Sequence, residues 1–555
     1  MAKLSGAEIF IESLKNEKVD VLFGYPGGSV IPIYDLLYDA PFKHVLTRHE
    51  QGAVHAADGY ARSTGKVGVC ISTSGPGATN LVTGLATAYM DSVPVVAFTG
   101  QVATSMIGKD AFQEADIKGI TMPITKHNYL VSDVKDLAKT IKEAFYIART
   151  GRPGPVLIDM PVDISKAYAE FEYPTEVDLP GYNPLYEVDL ERVKEAAELI
   201  NSSMKPVVFA GGGAIIADAG EELREFAQKT KIPVITSLMG LGVYPENNEL
   251  SLGMPGMHGS RYANYALTET DLIIAVGVRF DDRVTGKLDT FASNAKIIHI
   301  DIDPAEISKN MDTFISLIGD AKGVMSELIP LVEETDKSEW LQQISDWKEN
   351  HPLFFEDNSD EIKPQAVIRE LDKLTGGKAV IVTEVGQNQM WAAQYYNYSI
   401  SRNFLSSGGL GTMGYGLPAA MGAQLGRPDD IVIDISGDGS FQMNLQELCT
   451  INNYDLPVKV IILNNSSLGM VRQWQELLYD KRYSSTILKN PDFVKLAEAF
   501  GIKGIRVKEK SELNVALKEA LEHDGPVVMD IIVTQEENVW PMVPAGAGIH
   551  EMIGG

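Results

Sequence analysis

Short runs of apolar, often β-branched residues, each closed by glycine, proline or an acid and followed by a helical pattern, recur along this chain. "VLFGYPGG", "VGVCISTSGPG", "VPVVAFTG" and "PVLIDMP" form the first set, within residues 1–167. Such alternation is the signature of a parallel sheet with crossover helices. Residues 168–190 lose periodicity, gather proline and acids, and read as a linker. A second block, 191–334, carries "PVVFAGGGA", "IPVITS", "LIIAVGVRFDD" and "KIIHIDIDP". Residues 335–363 read as a helix and a charged joint, and 364–555 resume with "AVIVTEVG", "DIVIDISGDG", "VKVIILNN" and "PVVMDIIV". A chain of 555 residues exceeds one hydrophobic core, since cores stop growing near ~250–300 residues. The expected fold is α/β, with three domains each built on a central parallel sheet flanked by helices. The first and third blocks share a rhythm.

Composition narrows the function classes. The chain is 45% hydrophobic and 22% charged, with no run approaching the ~18 apolar residues of a membrane span. The opening "MAKLSGAEIFIESLK" lacks a basic region followed by an apolar core; Ser5 and Glu8 make a capping-box pattern instead, and a cytoplasmic location is expected. Cys70 and Cys449, the only cysteines, both sit in apolar sequence, which argues against a disulfide framework or a Cys-based zinc site. His49 and His55 are too far apart for HExxH geometry. Against 48 basic residues stand 75 acids, a net charge of −27. That balance disfavours nucleic acid or an anionic membrane as partner. An anionic ligand would need positive charge concentrated locally.

"VIDISGDGSF" (432–441) supplies a place for it. Ile431–Ile435 predict a buried strand, "MNLQELCTINNY" a helix with Asn444 and Glu447 as a capping pattern, and "LPVKVIILNN" the next strand. Both strand tips then share the sheet edge where open parallel sheets bind ligands. Asp438, the Asn465 amide oxygen and a nearby carbonyl are donors suited to Mg²⁺, and Gly437 and Gly439 leave room for close approach. A metal so held could bridge a diphosphate. The alternative is an ordinary strand-to-helix turn capped by Asp438, with Asn464 and Asn465 turning the chain.

With residues 440–463 separating GDG from NN, the stretch resembles the diphosphate/Mg²⁺ motif of the thiamine-diphosphate enzymes. That resemblance implies a carboxyl hydrogen-bonded to the cofactor's pyrimidine ring, making its amino group the base that deprotonates C2. Glu50, in "LTRHEQGAVHAADGYARSTG", matches the family's glutamate; otherwise it is an acid near a helix N-terminus. In similar enzymes the two groups meet across a subunit interface, which implies a homodimer or a dimer of dimers. "STSGPGATN" (72–80) fits the same site or is simply a turn. The three blocks would then be a pyrimidine-binding, an FAD-associated and a diphosphate/Mg²⁺-binding domain.

"GYPGG" (24–28), "GKDAFQE" (108–114), "RPGPVLID" (152–159), "GMHG" (256–259), "VRFDDRVTG" (278–286), "GQNQMWAAQ" (386–394), "GGLGTMGYGLPAA" (408–420) and "GMVRQWQ" (469–475) narrow the resemblance to the acetohydroxyacid (acetolactate) synthase family, catalytic large subunit. By position, Tyr25 and Gly28 would face the cofactor and the reacting carbon, with Gln113 near the active centre. Gln387, Gly411 and Met413 would line the cofactor, Met413 bending it. Asp438, Asn465 and the Ser467 carbonyl would hold Mg²⁺, and Met470 and Val471 would border the reaction space. Met and Val on such stretches are otherwise core.

Arg283 resembles the arginine that holds the second 2-oxo acid's carboxylate, a task suited to its bidentate fork. Its alternative is a partner for Asp281 or Asp282. Trp474 resembles the tryptophan that favours 2-oxobutyrate over pyruvate, and is otherwise a buried aromatic. FAD is implied by "RFDDRVTG", with Arg152, Gly212, Gly213, Leu238, His258, Gly277, Arg279, Asp301 and Asp320 at its contacts. "FAGGGAII" itself misses the last glycine of GxGxxG, and Asp320 could be a turn acid. The implied reaction decarboxylates pyruvate and condenses the hydroxyethyl carbanion with pyruvate, giving 2-acetolactate, or with 2-oxobutyrate, giving 2-aceto-2-hydroxybutyrate. These are branched-chain amino-acid precursors, and a small regulatory subunit is a possible partner. Two residues depart from the pattern. Val162 stands where many relatives carry lysine, and Asn388 where many carry histidine; an amide can still donate to phosphate. Pyruvate oxidase, or a non-catalytic cofactor-binding or regulatory subunit, are the rival readings.

Overall fold

The computed structural model describes residues 3–184 and 187–554. Leu185 and Tyr186, within the expected first linker, lie outside them, as do Met1, Ala2 and Gly555. The first sheet contains β1 (Val21–Gly24), β2 (Lys43–Leu46), β3 (Gly68–Ser72), β4 (Val95–Gln101), β5 (His127–Leu130) and β6 (Val156–Pro161). The middle sheet contains β7 (Pro206–Ala210), β8 (Val234–Thr236), β9 (Leu272–Val276), β10 (Lys296–Asp301) and β11 (Ile315–Ile318). The third contains β12 (Val380–Thr383), β13 (Phe404–Leu405), β14 (Val432–Gly437), β15 (Lys459–Asn464), β16 (Lys503–Val507) and β17 (Val527–Ile532). All three sheets are parallel throughout, with helices on both faces, the expected α/β class.

The first sheet runs β2-β1-β3-β4-β6-β5 and the third β13-β12-β14-β15-β17-β16. Counted within each sheet, both are the order 2-1-3-4-6-5, so the shared rhythm of the two blocks is a shared topology. Lys3–Ser5 pair antiparallel with Tyr168–Glu170, bringing the start of the first linker back against the first domain. In the second joint the helix Ser338–Asn350 packs on the middle sheet, where Trp340 is buried and donates its indole N–H to the Pro206 carbonyl.

Five helices position the site: α1 (Gly6–Asn16), α2 (Glu50–Thr64), α3 (Gln387–Tyr395), α4 (Gly416–Gly426) and α5 (Gly469–Leu478). The Ser5–Glu8 capping box opens α1 as the sequence predicts. Between the first and third sheets lies one shared core, into which α2 sends Ala53, Ala56, Ala57 and Tyr60, and α4 sends Leu417, Ala419, Ala420 and Met421. A Cβ on Gly59 would overlap the Ala419 carbonyl, and one on Gly422 the Ala56 carbonyl. Glycine lets these backbones touch.

Two expectations need correction. Asn444 and Glu447 do not form a capping box: a short turn, Asp438–Phe441, precedes a 3₁₀ segment, and Asn444 donates its amide to the Gly414 carbonyl. Glu447 instead accepts the backbone N–H groups of Arg48 and His49 from the first domain, at 2.9 and 3.0 Å. Cys449 is not in an apolar setting; the Arg48 guanidinium donates to its sulfur at 3.2 Å. Among the described residues, no helix is long and apolar enough to cross a membrane.

Candidate active site

The tips of β14 and β15 carry the first part of the site. Asp438 is 1% exposed, and burial pushes its carboxyl up to about 6 despite hydrogen bonds that favour the charge. Asn490 donates its amide to Asp438 Oδ2 at 2.5 Å and to Asn464 Oδ1 at 3.0 Å. Asn465 Oδ1 accepts the Ser467 N–H, its Nδ2 lies 3.4 Å from Gln387 Oε1, and the buried Ser467 hydroxyl has no protein partner. Asp438, Asn465 and Ser467 line one cavity of about 80 Å³ with Gln387, Asn388, Met413, Gly437, Gly439, Met470 and Val471. No Lys or Arg is among its described lining residues. A buried carboxylate, an amide oxygen and a carbonyl without a Lys or Arg neighbour fit a hard divalent cation. Among the described residues no group of three or more His, Cys, Asp or Glu side chains could hold a metal, so any ion here relies on mixed oxygen donors.

Asn388 differs from expectation. Both of its amide hydrogens are spent, on the carbonyls of Glu384 (3.0 Å) and Ile435 (2.8 Å), so the side chain offers the cavity its oxygen and no donor to phosphate. Val162 is half-buried at the start of a short helix after β6.

Val385, Gly386 and Met470 are shared with a larger cavity of about 610 Å³, where Gly411, Arg283, Trp474, Leu238, His258 and Arg279 come together. Gly411 takes φ of 69°, a backbone that favours glycine. Trp474 is 36% exposed, so it is no ordinary core aromatic. The Arg283 side chain is 64% exposed, and its ion pair with Asp282 spans 3.8 Å. The Asp281 carboxylate accepts the backbone N–H of Arg283, and the guanidinium donates to the Met257 sulfur at 3.8 Å. The guanidinium is thus loosely paired and turned to the cavity. His258 is buried, which lowers its pKa to about 4, and its Nδ1 has no partner.

A third cavity, about 470 Å³, adjoins this one through Met90, Ser237, Met239 and Arg279 and holds Arg152, Gly212, Gly213, Gly277, Asp301 and Asp320. A Cβ on Gly213 would come within 2.7 Å of the Gly277 Cα, so β7 and β9 deliver bare backbone to its wall. Arg152 pairs with Glu306 at 2.6 Å and Asp303 at 3.2 Å, while Asp320 lines the cavity and caps the helix Ala321–Leu328 through the Gly323 N–H. A glycine-lined cavity of this size, with arginines and acids in its wall, fits a dinucleotide-sized group.

Tyr25, Gly28, Glu50 and Gln113 gather elsewhere, at the carboxyl edge of the first sheet. Glu50 opens α2 and accepts the Asn80 amide at 3.0 Å; a Cβ on Gly77 would lie 3.2 Å from its Oε1. A Cβ on Gly75 would meet the Gln113 backbone at 2.9 Å, and Gln113 itself has φ of 61°. Tyr25 is 41% exposed, and Gly28 faces open space. None of the four is among the described residues lining the cavity that holds Asp438. The chain therefore carries these two groups of residues apart, at the edges of different sheets. Sequence reasoning missed Gln473 and Asn490, gave Asn80 only as part of 72–80 and read Glu447 only as a cap, because their partners lie far along the chain and leave no local pattern.

Comparison with known proteins agrees along the chain. Residues 4–120 match the thiamine pyrophosphate enzyme N-terminal TPP binding domain, 193–328 the central domain, and 384–531 the C-terminal TPP binding domain. The chain is 51% identical over 558 residues to the acetolactate synthase large subunit of Corynebacterium glutamicum, covering 98% of this chain and 89% of that one. It is 51% identical to the acetolactate synthase of Mycobacterium bovis, covering 100% and 92%. With the probable acetolactate synthase large subunit of Methanocaldococcus jannaschii it shares 50% identity over 99% and 95%.

Proposed function

The chain belongs to the thiamine pyrophosphate enzymes and, within them, to the acetolactate synthases, and from that premise we propose how its residues divide the work. The overall reaction joins pyruvate, after loss of CO₂, to a second 2-oxo acid: pyruvate gives 2-acetolactate and 2-oxobutyrate gives 2-aceto-2-hydroxybutyrate. When bound, thiamine diphosphate supplies the electron sink that accepts the pair freed as CO₂ leaves and passes it to the acceptor carbonyl.

Asp438, Asn465 and the Ser467 carbonyl would hold Mg²⁺, whose charge offsets the diphosphate in a cavity without Lys or Arg. Glu50 would keep a proton at the pyrimidine ring nitrogen, while Tyr25, Gly28 and Gln113 close the other side. Gln387, Gly411, Met413 and Met470 would shape the bed between. Arg283 would fork onto the acceptor carboxylate and Trp474 form the wall its alkyl group touches. The observation that carries this division is the opening of Arg283 and Trp474 into one cavity with Gly411 and Met470. A pyruvate oxidase would have no second carboxylate for Arg283 to hold.

FAD would occupy the cleft of Arg152, Gly212, Gly213, Gly277, Asp301 and Asp320 and reach past Arg279 to Leu238 and His258 in the adjoining cavity, in a structural role because carboligation is redox-neutral. A second copy of the chain would bring its Glu50 edge over the Asp438 tip. Phe112, 88% exposed beside Gln113, and Met122, 63% exposed, support such a covering. Two of these relatives are named large subunits, which supports a smaller regulatory partner, and we place the enzyme in the cytoplasm. The test incubates purified protein, thiamine diphosphate, Mg²⁺ and FAD with pyruvate and 2-oxobutyrate, with products read by mass spectrometry. Both acetohydroxyacids are expected. Acetyl phosphate or acetate with flavin reduction, or no product, would overturn the reading.

A further inference from the structure

We propose that Gln473 is a positioning residue that locks the acceptor-reading face of α5 to the cofactor tip; the inference rests on the function proposed above. α5 presents Met470 and Trp474 to the large cavity, yet its two buried residues are both polar, Arg472 and Gln473, each 0% exposed. Directional hydrogen bonds hold this side of the helix, so they set its rotation, and rotation decides where the indole stands.

Gln473 Oε1 accepts from Gln387 Nε2 and from the Val539 N–H, both at 2.9 Å, and its Nε2 donates to the Val539 carbonyl at 3.1 Å. Gln387 donates also to the Glu537 carbonyl at 2.9 Å, and its Oε1 lies 3.4 Å from the amide of Asn465, a candidate cation ligand. A Cβ on Gly469 would overlap that Gln387 oxygen, so the first turn of α5 rests directly on the same amide. Four residues past Val539, the Val543 N–H donates to the Met257 carbonyl, and the Met257 N–H to the Arg283 carbonyl, both at 2.8 Å. Asn465, Gln387, Gln473 and the 539–543 backbone thus form one run of contacts from the cation end to the residues that would read the acceptor. Gln473 is the member of that run on the helix of Trp474. Glutamine suits the position because one amide must both accept and donate along the Val539 peptide. An ionised glutamate would set an oxygen against the Val539 carbonyl, and methionine would fill the space with neither bond.

The experiment compares the parent, Gln473→Met and Trp474→Leu, each with FAD, Mg²⁺ and thiamine diphosphate, in competition between pyruvate and 2-oxobutyrate. Gln473→Met is expected to lower the ratio of 2-aceto-2-hydroxybutyrate to 2-acetolactate at least 5-fold while kcat on pyruvate alone falls less than about 3-fold. It is also expected to weaken thiamine diphosphate binding, read by calorimetry, which Trp474→Leu leaves unchanged. The double variant should show no larger ratio change than Trp474→Leu alone, because both act on one contact. A folded Gln473→Met with the parental ratio and cofactor affinity, or with equal losses on both acceptors, would overturn the proposal. Should that variant not fold, Gln473→Glu reads the same point by pH. Protonation restores a donor toward Val539, so its ratio should recover toward the parent's as pH falls from 8 to 6, and a flat profile refutes the link. If the parent forms no acetohydroxyacid, the functional reading has failed, and the cofactor affinity of Gln473→Met alone still decides whether Gln473 supports the tip.

Discussion

Arg283 and Trp474 open into one cavity, but they would discriminate by different physics. A guanidinium reads the carboxylate common to every 2-oxo acid and so fixes orientation, whereas an indole wall reads the alkyl group, where one methylene is worth ~1–3 kcal/mol. Trp474→Leu is therefore expected to cut the preference for 2-oxobutyrate over pyruvate by roughly 5- to 50-fold with little change in pyruvate-only turnover, measured by product ratio in competition. Glu50 is half-buried against Asn80 and lies close to the Gly77 backbone. Glu50→Gln keeps the shape and removes the acid, so turnover should fall by ~10²–10⁴-fold in steady-state assays while Mg²⁺ binding at the third-domain tip persists. Undiminished turnover would remove Glu50 from its role. The sequence pointed to these residues through the resemblance of the motifs around them to the acetolactate synthase family; residue type alone left each an ordinary alternative. Asn388 was half legible: its identity was plain, but only the positions of the Glu384 and Ile435 carbonyls decide which end of the amide faces the cavity.

The pair α2 and α4 shows how an element can be fixed by what lies outside it. Glu447 receives the Arg48 and His49 N–H groups ahead of α2, and Glu384 receives those of Gly414 and Gly416 at the start of α4. Burial raises both carboxyls to about 7. Glu447 is ionised in the unfolded chain well before it is in the folded one. A folded value above the ordinary 4.5 means that its contribution is fully present below pH 4.5 and is lost as pH rises through about 7. Glu447→Gln, which cannot ionise, should therefore lose less stability than the parent between pH 5 and 7.5, by up to ~3 kcal/mol in urea titrations. An identical loss in both proteins would refute this. Where the two helices touch, Gly422→Ala has no space beside the Ala56 carbonyl and should cost ~1–3 kcal/mol or more. The same alanine on the solvent side of a helix would be neutral or stabilising, and the urea midpoint separates the two.

Across the whole molecule, one architecture is used twice. The first and third sheets share a strand order, and each offers its carboxyl edge, yet Glu50 is not among the described residues lining the cavity that holds Asp438. If a second copy completes the site, a Glu50→Gln chain and an Asp438→Ala chain are each inactive alone, but their mixed dimer retains one intact site. Co-refolding equal amounts should restore about a quarter of parental activity, since half of randomly formed dimers are mixed and each carries one good site of two. A mixture that stays inactive while mixed dimers are seen by native mass spectrometry would place the whole site within one chain.

The sequence by itself determined the three parallel sheets, because strand and helix periods are local, and it located the Asp438 and Asn465 tip, because neighbouring strands of a βαβ unit must end on the same edge. Only the tertiary structure decided what surrounds those tips. Glu447 meets Arg48 across 399 residues of chain, Asn490 meets Asp438, and Gln473 meets both Gln387 and Val539. Each contact depends on how finished elements pack against one another, and hydrogen bonds between such distant residues leave no trace in local periodicity.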